Sequence, residues 1–131
     1  MSFLVDTNVL SELARPSPNA AVAKWASLLD HMVISVITLD EVFHGLTLKP
    51  KPRVQHWFES FVASRCQTLD VSAAIARHAG ILRGQLAARG QVRTQADMLI
   101  AATAALHGLT VATRNVEDFA GCGVAVVNPF R

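Results

Sequence analysis

An acidic residue lies inside the first apolar run of the chain. Asp6 follows Phe3 to Val5 and precedes Val9 and Leu10. The apolar triplet predicts a short buried strand, and the spacing after it predicts a helix over residues 8–14. An unpaired carboxylate in such surroundings costs on the order of several kcal/mol, or it takes up a proton. Any fold that buries this segment must therefore supply Asp6 with a partner.

Short apolar segments alternate with helical spacing along the rest of the chain. Residues 32–37 and 109–113 are apolar and β-branched, and shorter strand candidates cover residues 66–69 and 124–127. Buried strands that alternate with helices are typical of a parallel sheet covered on both faces. We therefore predict an α/β fold, a three-layer α/β/α domain with a mostly parallel central sheet. The predicted helices cover residues 8–14, 19–29, 39–48, 54–64, 71–88 and 95–107.

Length and composition indicate one ordered domain spanning residues 1–131. Hydrophobic residues make up 51% of the chain and charged residues 17%, and part of this apolar excess is expected in an interface. The longest apolar runs, residues 32–37 and 98–106, fall short of the roughly 20 residues that a membrane span needs. The N-terminus lacks the basic region of a signal peptide. The expected location is the cytoplasm, with no membrane partner.

Two signals mark the ends of the long predicted helices. Asp70 is placed to cap the helix over residues 71–88, and Gly108 is placed to end the helix that follows. Gly80 and Gly84 weaken the first of these helices, or they allow another helix to pack closely against it.

Acidic and amide side chains recur where predicted strands end and helices begin. Asp6 ends the first strand, Glu41 lies in the first turn after the second strand, and Asp97 lies in the first turn of the strongly apolar helix over residues 95–107. Asn115 and Asp118 follow the next strand. In parallel α/β sheets, functional side chains gather at the carboxyl ends of the strands. These side chains are therefore candidates for a single site.

Helix capping is the alternative explanation for several of these positions. The spacing of Thr38 to Glu41 is that of a capping box, Thr94 to Asp97 comes close to it, and Asn115 can cap a short turn. One such position is more often a cap than a catalytic residue. Capping does not explain Asp6 at the end of a strand, nor the repeated placement at one edge of the sheet. We therefore favour convergence of the acids.

Converging carboxylates need a cation. Two that lie about 4 Å apart repel by roughly 4 kcal/mol at an effective dielectric constant of about 20, unless one is protonated or a cation bridges them. Oxygen ligands favour Mg²⁺ or Mn²⁺, which can activate water against a phosphodiester. The candidate ligands are Asp6, Glu41 and Asp97, and the candidates for positioning ligands or water are Thr7, Asn8 and Thr113.

Four segments, residues 5–13, 37–45, 96–104 and 113–119, form an ordered set of acidic motifs. Together they resemble the PIN domains of VapC-type toxins, and the resemblance extends from residue 4 to the closing Asn128-Pro129-Phe130. It implies a Mg²⁺- or Mn²⁺-dependent endoribonuclease that leaves a 5′-phosphate and a 3′-hydroxyl. It also implies that the chain is the toxin of a type II toxin-antitoxin pair.

The resemblance implies roles for individual residues. Asp6, Glu41 and Asp97 match the acidic triad of the family. The fourth acidic position of the family falls on Asn115, which can ligate through its carbonyl but brings no charge, and Asp118 follows it. Either Asp118 substitutes for the missing acid, or the site binds its metal more weakly.

Partners follow from the same resemblance. Family members commonly form homodimers and are inhibited by a cognate antitoxin whose C-terminal segment covers the groove. Operator DNA is then reached only indirectly, through the antitoxin. The RNA substrate needs cations near the acids, and Arg15 and Arg114 are the best candidates because they flank the motifs. The wider set of basic candidates is Arg15, Lys49, Lys51, Arg53, Arg93 and Arg114.

An apolar cluster on the helix over residues 54–64 has two interpretations. Trp57, Phe58, Phe61 and Val62 recur at helical spacing. Packing into the core is the favoured interpretation, and contact with a partner chain is the alternative.

The alternative function is regulatory. A catalytically weak toxin-like partner would act mainly with its antitoxin in DNA-bound transcriptional autoregulation, and Asn115 is the feature that favours it. A haloacid-dehalogenase-like phosphatase does not fit, because Asp6-Thr7-Asn8 lacks the second carboxylate of Asp-x-Asp. The net charge of +2 does not by itself indicate a nucleic-acid partner. No GxxxxGK, GxSxG or GxGxxG motif occurs in the sequence.

Overall fold

A computed structural model describes residues 2–131 of the chain. Within that range, no helix is both long enough and apolar enough to cross a membrane. The strands are β1 (Phe3–Val5), β2 (Met32–Ser35), β3 (Cys66–Leu69), β4 (Thr110–Ala112) and β5 (Val126–Val127). The helices are α1 (Thr7–Leu13), α2 (Ala20–Ser27), α3 (Val36–Leu48), α4 (Pro52–Arg65), α5 (Ala73–Ala88) and α6 (Gln95–His107), and a short 3₁₀ helix covers Val116–Phe119.

The strands pair into one parallel sheet with the order β3-β2-β1-β4-β5. Leu4 pairs with Val33 on one side and with Val111 on the other, so β1 lies at the centre. A central parallel strand is covered on both faces, and Leu4 and Val5 are accordingly buried. The predicted three-layer α/β fold is confirmed, and every strand pairing within residues 2–131 is parallel.

Consecutive residues of β1 and of β2 pack into two separate hydrophobic cores, one on each face of the sheet. Leu4 and Val33 pack in one core with α5, α6 and the 3₁₀ helix. Val5 and Ile34 pack in the other core with α1, α2 and α4. This division follows from the alternation of side chains along a strand, which sends successive residues to opposite faces of the sheet.

The aromatic residues of α4 pack mainly against the second core. Phe58 is buried there, and Trp57, Phe61 and Val62 are half-buried against the same cluster. The rings of Trp57 and Phe61 stack with centroids 4.7 Å apart. The structure therefore agrees with the core-packing interpretation, although part of these rings stays accessible.

Two helices begin elsewhere than the sequence predicts. Ser35 ends β2 and caps α3 by accepting a hydrogen bond of 3.0 Å from the Ile37 amide, so residues 36–37 are helical although they were predicted to be strand. The alternative interpretation of Thr38 to Glu41 as a capping box is therefore wrong. Ser72, and not Asp70, caps α5 by accepting from the Ile75 amide. In both cases a short hydroxyl side chain reaches the free amides of the first turn.

Other boundaries differ by a few residues. The strands β4 and β5 are shorter than the predicted segments 109–113 and 124–127. Thr94 caps α6 as its spacing indicates, accepting from the Asp97 amide at 3.1 Å. Asn115 precedes the 3₁₀ helix but makes no side-chain capping bond to it.

Glycines occupy two contrasting backbone environments. Gly108 ends α6 with φ 65° and ψ 36°, the left-handed conformation that residues with a Cβ rarely adopt. Gly80 and Gly84 lie on the exposed side of α5, and beyond their chain neighbours and the nearby backbone of the same helix, no atom of residues 2–131 lies within 4 Å of a Cβ built on either one. Close helix packing against these two glycines is therefore not found within residues 2–131.

Alanine substitutions at the two kinds of glycine should change stability in opposite directions. Gly108→Ala should lower the free energy of unfolding by about 1 kcal/mol, because a left-handed alanine clashes with its own backbone. Gly84→Ala should raise it by about 0.5–1 kcal/mol, because alanine restricts the unfolded chain and favours the helix. Urea denaturation of both variants measures the two changes. Equal effects of the two substitutions would contradict this account.

Candidate active site

Asp6 lies at the carboxyl edge of the central strand, directly before α1. Its backbone amide donates to the Ala112 carbonyl at 2.9 Å, which fixes it between the ends of β1 and β4. The residue is 6% exposed. Asp6 is also the N-cap of α1 and accepts from the Thr7 amide at 2.8 Å, so the premise that capping does not explain Asp6 is wrong. Its position is the one expected of a functional acid in a parallel sheet.

Two further donors satisfy the other carboxylate oxygen of Asp6. The Thr113 hydroxyl donates to Oδ2 at 2.8 Å, and Asn8 Nδ2 donates to the same oxygen at 3.1 Å. The side-chain oxygen of Asn8, Oδ1, in turn accepts from the Arg114 backbone amide at 3.0 Å. The Thr113 hydroxyl accepts from the Asn115 backbone amide at 3.0 Å. The network joins the start of α1 to the segment after β4. Thr113 and Asn8 thus both hydrogen-bond to the Asp6 carboxylate.

Glu41 is reached from α1 through Thr7. The Thr7 hydroxyl donates to Glu41 Oε1 at 2.7 Å and lies 3.2 Å from the Thr38 hydroxyl. Because α3 begins at Val36, Glu41 lies in its second turn and not in the first turn that was predicted. Unlike Asp6, Glu41 is exposed. Thr38 was interpreted only as a cap, and no spacing rule would have indicated its contact with Thr7.

Asp97 lies in the first turn of α6 and shares an electrostatic field with the other acids. Burial raises the pKa of Asp97 above its ordinary value, the Thr94 side chain lowers it, and the negative charges of Asp6, Asp118 and Glu41 raise it further. Burial is likewise the main cause that raises the pKa of Asp6, with the charge of Asp118 adding to it against the hydrogen bonds of Thr113, Thr7 and Asn8. The acids from separate elements therefore act on one another.

The segment after β4 carries both candidates for the fourth acidic position of the family, Asn115 and Asp118, and the two residues make different contributions to the site. The Asp118 carboxylate raises the pKa of both Asp6 and Asp97, so its charge acts on the acid group, which consists of Asp6, Glu41, Asp97 and Asp118. Asn115 contributes its backbone amide to the Thr113 hydroxyl. Of the two side chains, Asp118 is thus the one that supplies negative charge at this edge of the sheet.

The donor chemistry of the site fits a hard divalent cation. Carboxylates and hydroxyls supply only oxygen, and the negative charges of Asp6, Asp118 and Glu41 raise the pKa of Asp97, which is a repulsion that a cation relieves. Among residues 2–131, no three His, Cys, Asp or Glu side chains are close enough to form a ready-made metal site. Mg²⁺ typically keeps several waters and takes only one or two carboxylates, so a sparse donor set is compatible with it. The ligands predicted from the sequence are Asp6, Glu41 and Asp97, and as they are placed in residues 2–131 these three side chains do not form a complete metal site.

The basic side chains near the site are held in different ways. Arg15 pairs with Glu12 at 3.3 Å, and the Arg114 guanidinium lies 4.7 Å from the centre of the Phe130 ring. Arg93 was predicted to face RNA, yet it donates to the Asp118 carbonyl at 2.6 Å and the Ala120 carbonyl at 3.0 Å. Arg93 therefore holds the backbone that carries Asp118. Its partners are distant in sequence, so no local motif could have indicated this role.

Comparison with known proteins defines the class. The family model described as PIN domain matches residues 3–121, and the chain therefore belongs to the PIN-domain family. It is 34% identical to the VapC ribonuclease Y4jK of Sinorhizobium fredii (strain NBRC 101917 / NGR234), over 98% of this chain and 97% of that protein. Within the family, the chain is thus similar to VapC-type members.

Solved structures agree with this placement. The fold superposes on DNA-bound VapBC from Salmonella typhimurium with a TM-score of 0.87 and 30% identity, covering 98% of each chain. It superposes on a toxin-antitoxin complex from Klebsiella pneumoniae with a TM-score of 0.76 and 28% identity, covering 100% of this chain and 99% of that one. The predicted relationship to VapC-type PIN domains is confirmed.

Removal of one acid should stabilise the metal-free protein. Asp97→Asn should raise the free energy of unfolding in EDTA by up to about 1 kcal/mol, because it removes a half-buried charge that three others repel, although water screens part of the effect. Asp30→Asn is the matched control, since Asp30 is exposed and precedes β2 at the opposite end of the strand. Urea denaturation in EDTA measures both variants. A destabilised Asp97→Asn protein would show that the acids do not repel one another as described.

Proposed function

We propose that this protein is a metal-dependent endoribonuclease toxin that hydrolyses RNA phosphodiester bonds and is neutralised by a cognate antitoxin. The observation that carries the proposal is the hydrogen-bond network at the carboxyl edge of the sheet, which holds the buried Asp6 carboxylate through Thr7, Asn8 and Thr113 and reaches Glu41 through Thr7. Membership of the PIN-domain family supports it, as does the similarity to a protein named as a VapC ribonuclease.

In this proposal, Asp6, Glu41 and Asp97 hold Mg²⁺ or Mn²⁺. The bound ion would supply Lewis acidity toward a phosphodiester and neutralise charge that develops on its oxygens. The protein's own contribution is to fix the ligands before the substrate arrives. Thr113 and Asn8 orient the Asp6 carboxylate, and Thr7 orients Glu41, as outer hydrogen-bond partners do in metal sites. Asp118, carried by the segment that Arg93 holds, adds negative charge.

The partners belong to the same proposal. The antitoxin would cover the acid group and block access of RNA, and operator DNA would be contacted only through the antitoxin. Similarity to a DNA-bound VapBC structure and to a toxin-antitoxin complex supports this arrangement. We also propose a homodimer that acts in the cytoplasm. Leu28 and Leu48, with 75% and 73% of their surface exposed, are available for contact with a second chain.

The regulatory alternative depended on the uncharged Asn115. A protein without a fourth charge would bind its metal weakly and act mainly in autoregulation with its antitoxin. Asp118 weakens this alternative, because its charge acts on both Asp6 and Asp97. The nuclease is therefore the proposal that the site supports better.

Metal-dependent RNA cleavage is the direct test. Antitoxin-free protein should cleave a mixed pool of structured RNA with Mg²⁺ or Mn²⁺ and should be inactive in EDTA. Asp6→Asn and Asp97→Asn should each lower the rate by more than about 100-fold, since they remove a ligand and not only its outer partner. Mn²⁺ binding by calorimetry should weaken in the same variants, whereas Asp30→Asn should retain both properties. Cleavage that persists in EDTA would refute a metal-dependent site.

The hydroxyl that orients Asp6 provides a second test. Thr113→Val keeps the shape of the fully buried side chain but removes the donor to Asp6, and it should lower activity by about 10- to 100-fold. Thr113→Ser keeps the hydroxyl and should retain most of the activity. Initial rates at saturating Mn²⁺ compare the two variants. Equal activity of the valine and serine proteins would show that the Thr113 hydroxyl does not contribute to cleavage.

A further inference from the structure

A fully buried hydroxyl lies beside Thr7 without bonding to an acid itself. It belongs to Thr38, which lies in the first turn of α3 and is 0% exposed. Its Oγ1 is 3.2 Å from the Thr7 hydroxyl, and Thr7 is its only hydrogen-bond partner among residues 2–131. Water does not reach such a group, and a buried hydroxyl without a partner is costly. The contact with Thr7 therefore has to satisfy Thr38.

The number of protons decides the direction of this contact. A threonine hydroxyl carries one proton, and it accepts through its lone pairs. The Thr7 hydroxyl lies 2.7 Å from Glu41 Oε1, which is the short distance of a bond to a charged acceptor. An ionised carboxylate only accepts, so the Thr7 proton points to Glu41. The proton in the longer contact, at 3.2 Å, must then come from Thr38.

The result is a chain of two hydroxyls that ends on a carboxylate. Thr38 donates to Thr7, and Thr7 donates to Glu41, and these three residues are the hydroxyl chain. Hydrogen bonds in such a chain strengthen one another, because a hydroxyl that accepts is polarised and becomes a better donor. The Thr7 hydroxyl is thereby held in one direction, toward Glu41.

Thr7 contacts two acids at once. Its backbone amide donates to Asp6 Oδ1 at 2.8 Å, and its hydroxyl donates to Glu41. The backbone fixes the direction of the amide, whereas the side chain has other rotamers available to it. Thr38 is the contact that selects one of them. It therefore helps to set the position of Glu41 relative to Asp6.

Glu41 depends on this contact more than Asp6 does. Its side chain is long and exposed, so it loses conformational entropy when it is held in one place. Asp6 is buried and accepts from three donors. The bond from Thr7 is the only one to the Glu41 carboxylate within residues 2–131. Whatever orients Thr7 therefore also orients Glu41.

We propose that Thr38 is a positioning residue of the nuclease site, which acts through Thr7 to hold Glu41 where a divalent cation can bind. The inference rests on the proposed nuclease function and extends it to a residue that is fully buried. Loss of an outer hydrogen-bond partner typically weakens metal binding about 10- to 100-fold. Thr38 acts through one intermediate hydroxyl, so its effect is expected at the lower end of this range.

The first test needs no metal. The carboxyl carbon of Glu41 is observed by NMR at fixed pH in EDTA, in protein made with isotopically labelled glutamate, and Glu41→Gln identifies its signal. Thr38→Val keeps the shape of the side chain but removes its proton, so the Glu41 signal should shift. Thr38→Ser keeps the hydroxyl and should leave the signal close to its original position. An unchanged signal in Thr38→Val would overturn the hydroxyl chain.

Mn²⁺ binding by calorimetry tests the consequence for the site. Thr38→Val should raise Kd about tenfold, and Thr38→Ser should bind nearly as tightly as the unmodified protein. In Thr7→Val protein, the added Thr38→Val substitution should change Kd by less than about twofold, because the route to Glu41 is already broken. Effects that simply add would show that Thr38 does not act through Thr7, and this too would overturn the proposal.

Thr103→Val is the matched control. Thr103 is also fully buried, but its hydroxyl donates to the Leu99 carbonyl of its own helix at 2.7 Å. The variant loses a buried hydroxyl outside the hydroxyl chain, so both the Glu41 signal and the Mn²⁺ affinity should stay unchanged. Equal changes in the Thr38→Val and Thr103→Val proteins would reduce the effect to a loosened core and contradict a positioning role.

Failure of the nuclease itself would look different. Unmodified protein that neither binds Mn²⁺ nor cleaves RNA would refute the metal site, and the carbon signal in EDTA would still decide whether Thr38 orients Glu41. Where the unmodified protein does bind the ion, unchanged affinity in Thr38→Val would overturn the positioning role alone.

Discussion

The arrangement of this site depends on the hydrogen bonds that hold the Asp6 carboxylate. Three donors converge on it: a backbone amide of α1, the Asn8 side chain and the Thr113 hydroxyl. These bonds offset part of the cost of placing a charge in the centre of the sheet. They also bind the end of β4 to the start of α1, because Asn8 accepts from the Arg114 amide. One buried acid therefore fixes both the start of a helix and the geometry at the edge of the sheet.

The acidic side chains of the site differ in their exposure to solvent. Asp6 is buried and fully hydrogen-bonded, whereas Glu41 is exposed and held by a contact with Thr7. Asp97 lies between these extremes and experiences the charges of the other acids. Sites that keep repelling groups together give up stability for function. The hydrophobic cores on both faces of the sheet supply the stability that offsets this repulsion.

The sequence predicts the class and order of the strands and helices better than the exact residues at which they begin and end. Alternating apolar strands and helices indicate a parallel sheet, and the strand-end rule places Asp6 at the carboxyl edge of that sheet. The β-branched pair Val36 and Ile37 continues the strand pattern, but the Ser35 hydroxyl starts a helix there. A run of apolar residues cannot by itself distinguish these two outcomes. Local capping chemistry decides the boundary.

Contacts between distant segments were beyond the reach of sequence patterns. Spacing alone could not decide between Asn115 and Asp118, because the choice depends on which side chain of a short helix faces the acids. Arg93 holds the Asp118 backbone through a hydrogen bond between residues that are separated in sequence by the whole of α6 and β4. The packing of Arg114 over Phe130 joins two segments that no motif connects. Such contacts are set by tertiary packing.

One helix contributes to both the acid group and a groove beside it. The second turn of α3 carries Glu41 and Val42, a later turn of the same helix supplies Leu46, and Lys49 lies just beyond the helix end; all four residues line one groove of about 620 Å³. A helix moves largely as a rigid body, so a displacement at the lysine end is transmitted to the carboxylate. A ligand in the groove that displaces α3 would therefore also change ligation by Glu41, and the two affinities would then change by the same factor.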